Sequence, residues 1–310
     1  MRILVALGGN ALLHRGERPD ADRQQVNVLA AARSIARLAA EHEVVLTHGN
    51  GPQVGMLALE SAADPALTRP YPLDILGAQT QGMIGYLLGQ ALRNALPGRQ
   101  VATLVTQTLV SVADPAFADP TKFVGPVYAR EQAAALAAER GWTVRQDGPS
   151  WRRVVPSPRP RRIVETRVVR ALVEAGTLVV CAGGGGVPVV RDEHTGRLRG
   201  VEAVVDKDQT AALLAEALDA DALLLLTDVP AVIDDYGTPR AAPIRHTTPA
   251  ALRSREFPAG SMGPKVDAAC RFVELTGNTA AIGALDSPAA MLRGDEGTII
   301  TPGWQAEVST

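Results

Sequence analysis

The sequence predicts an α/β sandwich built on a mostly parallel central sheet. Short apolar runs alternate with longer amphipathic stretches along most of the chain, the pattern of strand–helix–strand units. Runs such as Ala222-Leu-Leu-Leu-Leu are apolar at every position, as strands covered by helices on both faces should be. Glycine clusters follow several predicted strands, where an open parallel sheet leaves its ligand crevice.

Taken in order, Ile3–Leu7 reads as a strand. Asp22–Glu41 reads as an amphipathic helix with Val26, Leu29, Ile35 and Leu38 among its apolar positions. Val44–Thr47 is a second strand, Leu73–Leu96 one long helix or two, and Val101–Thr106 a third strand. Ile163–Ala175 is a helix with Gly176 as its stop signal, followed by a strand over Thr177–Cys181. A helix over Lys207–Leu218, a strand over Ala222–Thr227, a helix over Lys265–Thr276, and strands over Thr279–Gly283 and Thr298–Ile300 complete the pattern.

One stretch departs from it. Residues 111–160 hold seven of the 22 prolines and five of the 11 aromatic residues: Phe117, Phe123, Tyr128, Trp142 and Trp151. This reads as an insertion with its own small core, a lid subdomain within a single domain spanning 1–310. Its closing tract, Pro156-Ser-Pro-Arg-Pro160, reads as a stiff return to the main body in preference to a docking peptide. No internal repeat is evident.

Composition excludes several classes. At 310 residues the chain can bury a sizeable core, and 46% hydrophobic with 21% charged residues is ordinary for a globular protein. A net charge of −2 offers no footprint for nucleic acid and no polybasic segment for a membrane. Two cysteines, Cys181 and Cys270, are too few for a disulfide framework or a zinc site and read as small buried thiols. The longest uncharged run, Ile75 to Leu92, is broken by glutamines and glycines and is a poor lipid-facing helix. The apolar start is too short for a signal peptide and ends at Gly8-Gly9-Asn10. A cytoplasmic enzyme is the expectation.

Lysine is nearly absent. Only Lys122, Lys207 and Lys265 occur among 31 basic residues. Where arginine serves every ordinary need for positive charge, a retained lysine marks a place for a compact point charge where a planar fork does not fit. Phosphoryl transfer is such a place, because its transition state spreads negative charge over crowded oxygens. The neighbours are Thr-Lys-Phe-Val-Gly-Pro, Asp-Lys-Asp and Ser-Met-Gly-Pro-Lys, turns and acidic pairs and not solvated helix faces. Lys207 and Lys265 both fall at helix starts, where the macrodipole disfavours a cation. Asp206 is a helix N-cap candidate, and Asp208 can orient lysines while ionised.

Three glycine clusters supply the other half of a phosphate site: Gly8-Gly9-Asn10, His48-Gly-Asn-Gly-Pro-Gln53 and Gly183–Gly186. Glycines let backbone amides approach an anion closely, and a helix start after the second cluster adds partial positive charge. The four-glycine run alone is also compatible with a tight turn. No P-loop motif is present, and no dinucleotide fingerprint. His48 is read as shaping its loop or hydrogen-bonding substrate; His14, His42, His194 and His246 as surface residues. Asp228 is open between a contact to nucleotide or Mg²⁺ and a simple turn.

In chain order, Ala6-Leu-Gly-Gly-Asn-Ala-Leu, His48-Gly-Asn-Gly-Pro-Gln-Val-Gly, Gln81-Gly-Met-Ile-Gly-Tyr, Pro120-Thr-Lys-Phe-Val-Gly-Pro-Val-Tyr, Arg152-Arg-Val-Val-Pro-Ser-Pro, Gly183-Gly-Gly-Gly-Val-Pro-Val, Val204-Val-Asp-Lys-Asp and Gly260-Ser-Met-Gly-Pro-Lys-Val resemble the carbamate kinase branch of the amino acid kinase family. The resemblance spans nearly the whole chain. It implies a three-layer αβα sandwich with a protruding lid, reversible phosphoryl transfer between ATP and carbamate giving ADP and carbamoyl phosphate, use of Mg²⁺, and a homodimer. By the same resemblance Lys122, Lys207 and Lys265 are the catalytic lysines and Asp208 the aspartate that organises them. Phosphate and nucleotide contacts map onto Gly8, Gly9, Asn10, Gly183, Gly184, Asp228, Tyr236, Met262 and Gly263, and carbamate contacts onto Gly49, Asn50 and Gly51. No protein ligand set for a metal is assigned. The first-strand lysine of many sister kinases is replaced here by Ala6-Leu7, leaving Lys122 to compensate. Gln79-Thr80, Pro230 and Asp234-Asp235 also depart from the family pattern. Another acid kinase of the family, acting on an acetylglutamate-like or phosphonate substrate, or a silent nucleotide-binding regulator, are the alternatives.

Overall fold

The computed structural model describes residues 1–9, 12–13, 20–258 and 260–303. Asn10 and His14 lie outside the described residues. The elements in chain order are β1 (Arg2–Leu7), α1 (Ala21–Ala39), β2 (Glu43–His48), α2 (Gly51–Ala63), α3 (Leu73–Ala95), β3 (Val101–Thr103), β4 (Gln107–Leu109), β5 (Lys122–Tyr128), α4 (Arg130–Arg140), β6 (Thr143–Asp147), β7 (Ser150–Val155), β8 (Arg162–Ile163), α5 (Thr166–Glu174) and β9 (Leu178–Val180). They continue through β10 (Val187–Arg191), β11 (Leu198–Gly200), α6 (Lys207–Ala217), β12 (Ala222–Thr227), β13 (Val232–Asp234), β14 (Ala242–Ile244), β15 (His246–Thr247), α7 (Pro249–Arg253), α8 (Met262–Thr276), β16 (Thr279–Ala284), α9 (Pro288–Arg293) and β17 (Thr298–Ile300).

The main sheet has eight strands in the order β15-β17-β16-β12-β1-β2-β9-β3. Every pairing in it is parallel except β16 with β17. Because side chains alternate along a strand, its fully apolar strands feed two cores. Leu4, Ala6, Val45, Val179, Leu223 and Leu225 pack with α5, α6 and α8 on one face. Ile3, Val5, Leu7, Val44, Leu46 and Leu224 pack with α1, α3 and α9 on the other. This is the three-layer αβα sandwich the sequence led us to expect.

The long helix over residues 73–95 is continuous. In α1, however, Val26 and Leu29 are exposed, at 59% and 38%. The buried stripe is Val28, Ala31, Ala32, Ile35 and Leu38. Alanines let the helix sit close to the sheet, so the side with the small residues is the packed one. The expected strand 101–106 ends at Thr103, and β4 begins a separate four-stranded sheet at Gln107. Between them, the buried Gln81 side chain donates to the Thr106 carbonyl (3.1 Å) and accepts from its N–H (3.0 Å), so side-chain bonds replace the sheet ladder at the turn. Ile163 belongs to β8, not to the helix, which starts at Thr166.

Within residues 111–160, β5, β7 and β6 form an antiparallel sheet backed by α4. Its core differs from expectation. Val124 and Val155 cluster with Val54, Leu73, Leu76 and Val204 outside the segment, while all five aromatics are only half-buried. Trp142 instead lies beneath two guanidinium groups, Arg153 at 4.7 Å and Arg140 at 5.2 Å from its ring centre. Among the described residues no helix is long and apolar enough to cross a membrane.

Candidate active site

β1, β2, β9 and β12 run parallel side by side, so the loops after them emerge at one edge of the sheet. Chain order reverses direction between β1 and its neighbour β12, and that switch point is where such sheets hold ligands. The first glycine loop is pinned by the Gly8 N–H donating to the Leu226 carbonyl (3.0 Å). The second lies directly on it: a Cβ on Gly49 would stand 2.6 Å from the Gly9 nitrogen. The third closes over the second. A Cβ on Gly183 would meet the His48 ring at 2.4 Å, and one on Gly184, at φ +62°, would meet Asn50 at 2.2 Å. The four-glycine run is thus the packing surface between loops, which a simple turn would not require.

Asn50 stands at the N-cap position of α2 without capping it. Its amide is turned away and donates to Thr80 Oγ1 at 2.8 Å. Gly51, at the first position of that helix, has open space on its Cβ side. The backbone at the start of α2 is therefore left available to an anion. Thr80, which departs from the family pattern, is fully buried and fixes the Asn50 side chain.

The third loop also meets α6. The Gly185 carbonyl accepts from Thr210 Oγ1 (3.1 Å) and Thr108 Oγ1 (2.7 Å). Asp206 caps α6, its Oδ1 accepting from the Asp208 N–H (2.9 Å) and the Gln209 N–H (3.2 Å). Lys207 and Asp208 occupy the first turn. Asp208 is buried and receives both main-body lysines: Lys207 on Oδ1, and Lys265 from the first turn of α8 on Oδ2 at 3.0 Å. Lys122, from the start of β5, meets Asp206 Oδ2 at 2.5 Å. The three lysines, dispersed in sequence, converge on two aspartates two residues apart. Three ammonium groups against two carboxylates leave one net positive charge beside the glycine loops.

Burial alone would raise the carboxyl of Asp208, but Lys207 and Lys265 hold it well below the usual carboxylate range. Lys207 is drawn down by loss of hydration, aided by repulsion from Lys265 and opposed by Asp208. Lys122 also loses hydration, yet the charge and hydrogen bond of Asp206, with Asp208 adding, lift it above the ordinary lysine value. His48 is buried and lowered to about 4, chiefly by desolvation and further by Lys207, against its bond to the Gly49 carbonyl (3.0 Å). It is a neutral imidazole between loops at physiological pH.

The remaining expected contacts follow β12 and β13 or stand at the start of α8. Asp228 follows β12, exposed, with Oδ1 accepting from Thr227 Oγ1 at 3.1 Å. Tyr236 is 75% exposed on the turn between β13 and β14. Met262 is half-buried against the α6–α8 core, and the Gly263 N–H donates to the Pro258 carbonyl at 3.0 Å. Sequence reasoning passed over Asp206 as more than a cap, because its partner is 84 residues away. Thr80 is marked in the sequence only as a departure from the family pattern, and Thr106 not at all, since neither carries a reactive group. Cys181 and Cys270 are buried free thiols, with burial pushing them up to about 12 and about 11. They are inert packing residues.

An eight-stranded αβα sandwich with clustered lysines at its switch point defines a class, and residues 1–283 match the amino acid kinase family. The chain belongs to that family. Within it, the chain is 53% identical to the carbamate kinase of Rhizobium meliloti, over 99% of this chain and 97% of that protein. It is 51% identical to the carbamate kinase of Haemophilus influenzae, over 97% of each. The structure of Giardia lamblia carbamate kinase bound to AMP-PNP superposes with a TM-score of 0.87 at 40% identity, covering 97% of this chain and 98% of that one.

Proposed function

We propose that this chain is a carbamate kinase, an ATP-dependent phosphotransferase interconverting ATP and carbamate with ADP and carbamoyl phosphate, and that it serves to make ATP from carbamoyl phosphate. The observation that carries the reading is the buried Lys207–Asp208–Lys265 cluster placed against three interlocked glycine loops. Identities near 50% to carbamate kinases along nearly the whole chain support it.

In this reading the two lysines neutralise the migrating phosphoryl group. Their ammonium groups are fixed before substrate arrives, so little reorganisation is needed in the transition state. Asp208 stays ionised and takes one lysine on each oxygen, which sets their spacing. The loop at Gly49, Asn50 and Gly51 holds carbamate through the uncapped start of α2. Gly8, Gly9, Asn10, Gly183, Gly184, Met262 and Gly263 contact phosphates, with Asp228 and Tyr236 toward the nucleoside. Residues 111–160 act as a lid carrying Lys122, excluding water that would otherwise intercept the phosphoryl group.

Among the described residues no cluster of three or more His, Cys, Asp or Glu side chains could hold a metal ion. Asp206 and Asp208 are already taken up by lysines. In this reading Mg²⁺ accompanies the nucleotide as part of the substrate, bound to ATP or ADP, and no protein ligand set is assigned to it. A homodimer is supported by Ile75, Met83 and Tyr86, which are exposed at helical spacing along α3. We place the protein in the cytoplasm.

The deciding assay is ATP formation from ADP and carbamoyl phosphate, with acetylglutamyl phosphate as the comparison donor. Turnover with the first and none with the second is the expected result. Turnover with the second alone would make this another acid kinase of the family. Nucleotide binding with turnover from neither would make it a regulator.

A further inference from the structure

The five residues before Lys207 touch the 111–160 segment at three successive points. Glu202 accepts from Arg153 Nη2 at 3.3 Å while its other oxygen accepts from the Leu73 N–H at 2.8 Å. The Val204 N–H donates to the Pro156 carbonyl at 2.9 Å. Asp206 then receives Lys122. A single strap thus runs along the base of the segment and ends in the helix that bears Lys207 and Asp208. Its last residue divides its carboxylate, with Oδ1 spent on the helix cap and Oδ2 on Lys122.

We propose that Asp206 is a positioning residue for phosphoryl transfer, one carboxylate that fixes both the lid ammonium of Lys122 and the start of the helix carrying the other catalytic groups. The proposal rests on the carbamate kinase reading and on a lid role for Lys122. Lysine has three donors; Asp206 takes one, leaving the others for a phosphoryl oxygen, and the Lys122 side chain is still 35% exposed. Left alone, a four-carbon stem on a lid samples many rotamers, and ordering it has an entropic cost at each turnover. The Asp206 contact orders it beforehand.

The chemistry of helix caps allows a clean test. Asparagine caps as well as aspartate does but cannot hold an ammonium by charge. Asp206→Asn should leave thermal stability and ADP affinity near wild type while lowering kcat for ATP formation about tenfold, equivalent to about 1.4 kcal/mol of activation free energy. The decisive comparison is the double variant: Asp206→Asn in a Lys122→Ala background should add almost nothing, because both changes remove one interaction. Effects that multiply would show that Asp206 acts through the cap alone and would overturn the proposal.

A second measurement does not depend on turnover. With three lysines in the chain, acylation by an amine-selective reagent can be followed at each by mass spectrometry. Asp206→Asn should speed labelling of Lys122, by about tenfold for each pH unit by which its ammonium becomes easier to deprotonate. Unchanged Lys122 labelling in a stably folded variant would refute the pairing itself. Faster labelling in a protein that turns over no carbamoyl phosphate would refute the carbamate kinase reading and leave the pairing standing.

Discussion

The lysines of the main body and the lysine of the inserted segment solve one problem in opposite ways. Lys207 and Lys265 start from helices packed in the largest core, are nearly buried at 11% and 12% exposure, and share one buried carboxylate. Lys122 starts from an edge strand of a small sheet, is three times as exposed, and relies on a carboxylate that also caps a helix. In the first region position is set by the core. In the second it is set by a single ion pair with the residue that caps α6. Substitutions in the main-body cluster should therefore be severe and chemically specific, and substitutions at Lys122 milder.

Removing the shared carboxylate is the largest expected effect. Asp208→Asn leaves two neighbouring ammonium groups with no anion between them, and breaking a buried pair this way costs about 3–5 kcal/mol if both stay charged. Part of that is relieved by loss of a proton from Lys207, already drawn downward. Steady-state kinetics should show kcat falling far more than KM rises, since ordered lysines matter most in the transition state. An unchanged kcat with a large rise in KM would move Asp208 to ground-state binding.

Lys265→Arg comes next, with Lys207→Arg as its twin. The charge is kept but the fork cannot occupy a place built for an ammonium. A loss of about 10²–10³ in rate is expected, the usual cost of one preorganised contact, with little change in melting temperature. Near wild-type rates would mean that the scarcity of lysine in this chain carries no functional information.

His48 offers a third test of how tightly the main body is built. Unfolding lets its imidazole take up a proton between pH 6.5 and about 4, which the folded ring cannot do. Its neutral burial therefore contributes full stability above about pH 6.5, lost as the pH falls toward 4 and levelling below, a total of about 3 kcal/mol. Asp208 works in a separate window, since its contribution is lost only as pH falls below the ordinary carboxylate value of about 3.9. Urea midpoints measured from pH 8 to pH 4 should slope downward in the wild type and flatten in His48→Asn. Equal slopes in the two proteins would show that His48 is solvated.

Much of this architecture could be read from residues alone, for identifiable reasons. Strands apolar on both faces leave a signal that survives context, and β12 and β17 were located to the residue. The lysines stood out because the surrounding composition is so poor in them. What failed was whatever depends on small or distant partners. The packed face of α1 is made largely of alanines, so large residues such as Val26 pointed to the wrong side. The aromatics of residues 111–160 suggested a private core, yet they lie half-buried, some beneath arginines, and the buried valines there join α2 and α3. Asp206 looked complete as a helix cap, since no local pattern announces a partner contributed by another sheet. The glycine run looked like one loop, and its meaning lies in His48 and Asn50, whose rings and amides occupy the missing Cβ positions.

The smallest expected effect falls in the inserted segment. Lys122→Ala removes a half-exposed ammonium held by one carboxylate, so its stability contribution is small and screened by solvent. Its kinetic cost should be about tenfold, or about 1.4 kcal/mol of activation free energy, milder than at Lys265, with ADP affinity unchanged. Deleting residues 111–160 and bridging the ends with glycine and serine should go further, sparing nucleotide binding while abolishing transfer to carbamate. Hydrogen exchange separates a lid that moves from one that is merely exposed. If β5 to β7 open and close around substrate, their amides should exchange faster than those of the main sheet in the free protein and slow when both substrates or an inert analogue are bound. The backbone of β5 passes so close to α2 that a Cβ on Gly55 would stand 2.3 Å from Gly125 Cα, so Gly125 reports directly on whether the segment is seated. Equal protection in the two states, or a Lys122→Ala enzyme of normal rate, would leave residues 111–160 as a rigid wall of the site with no part in closure.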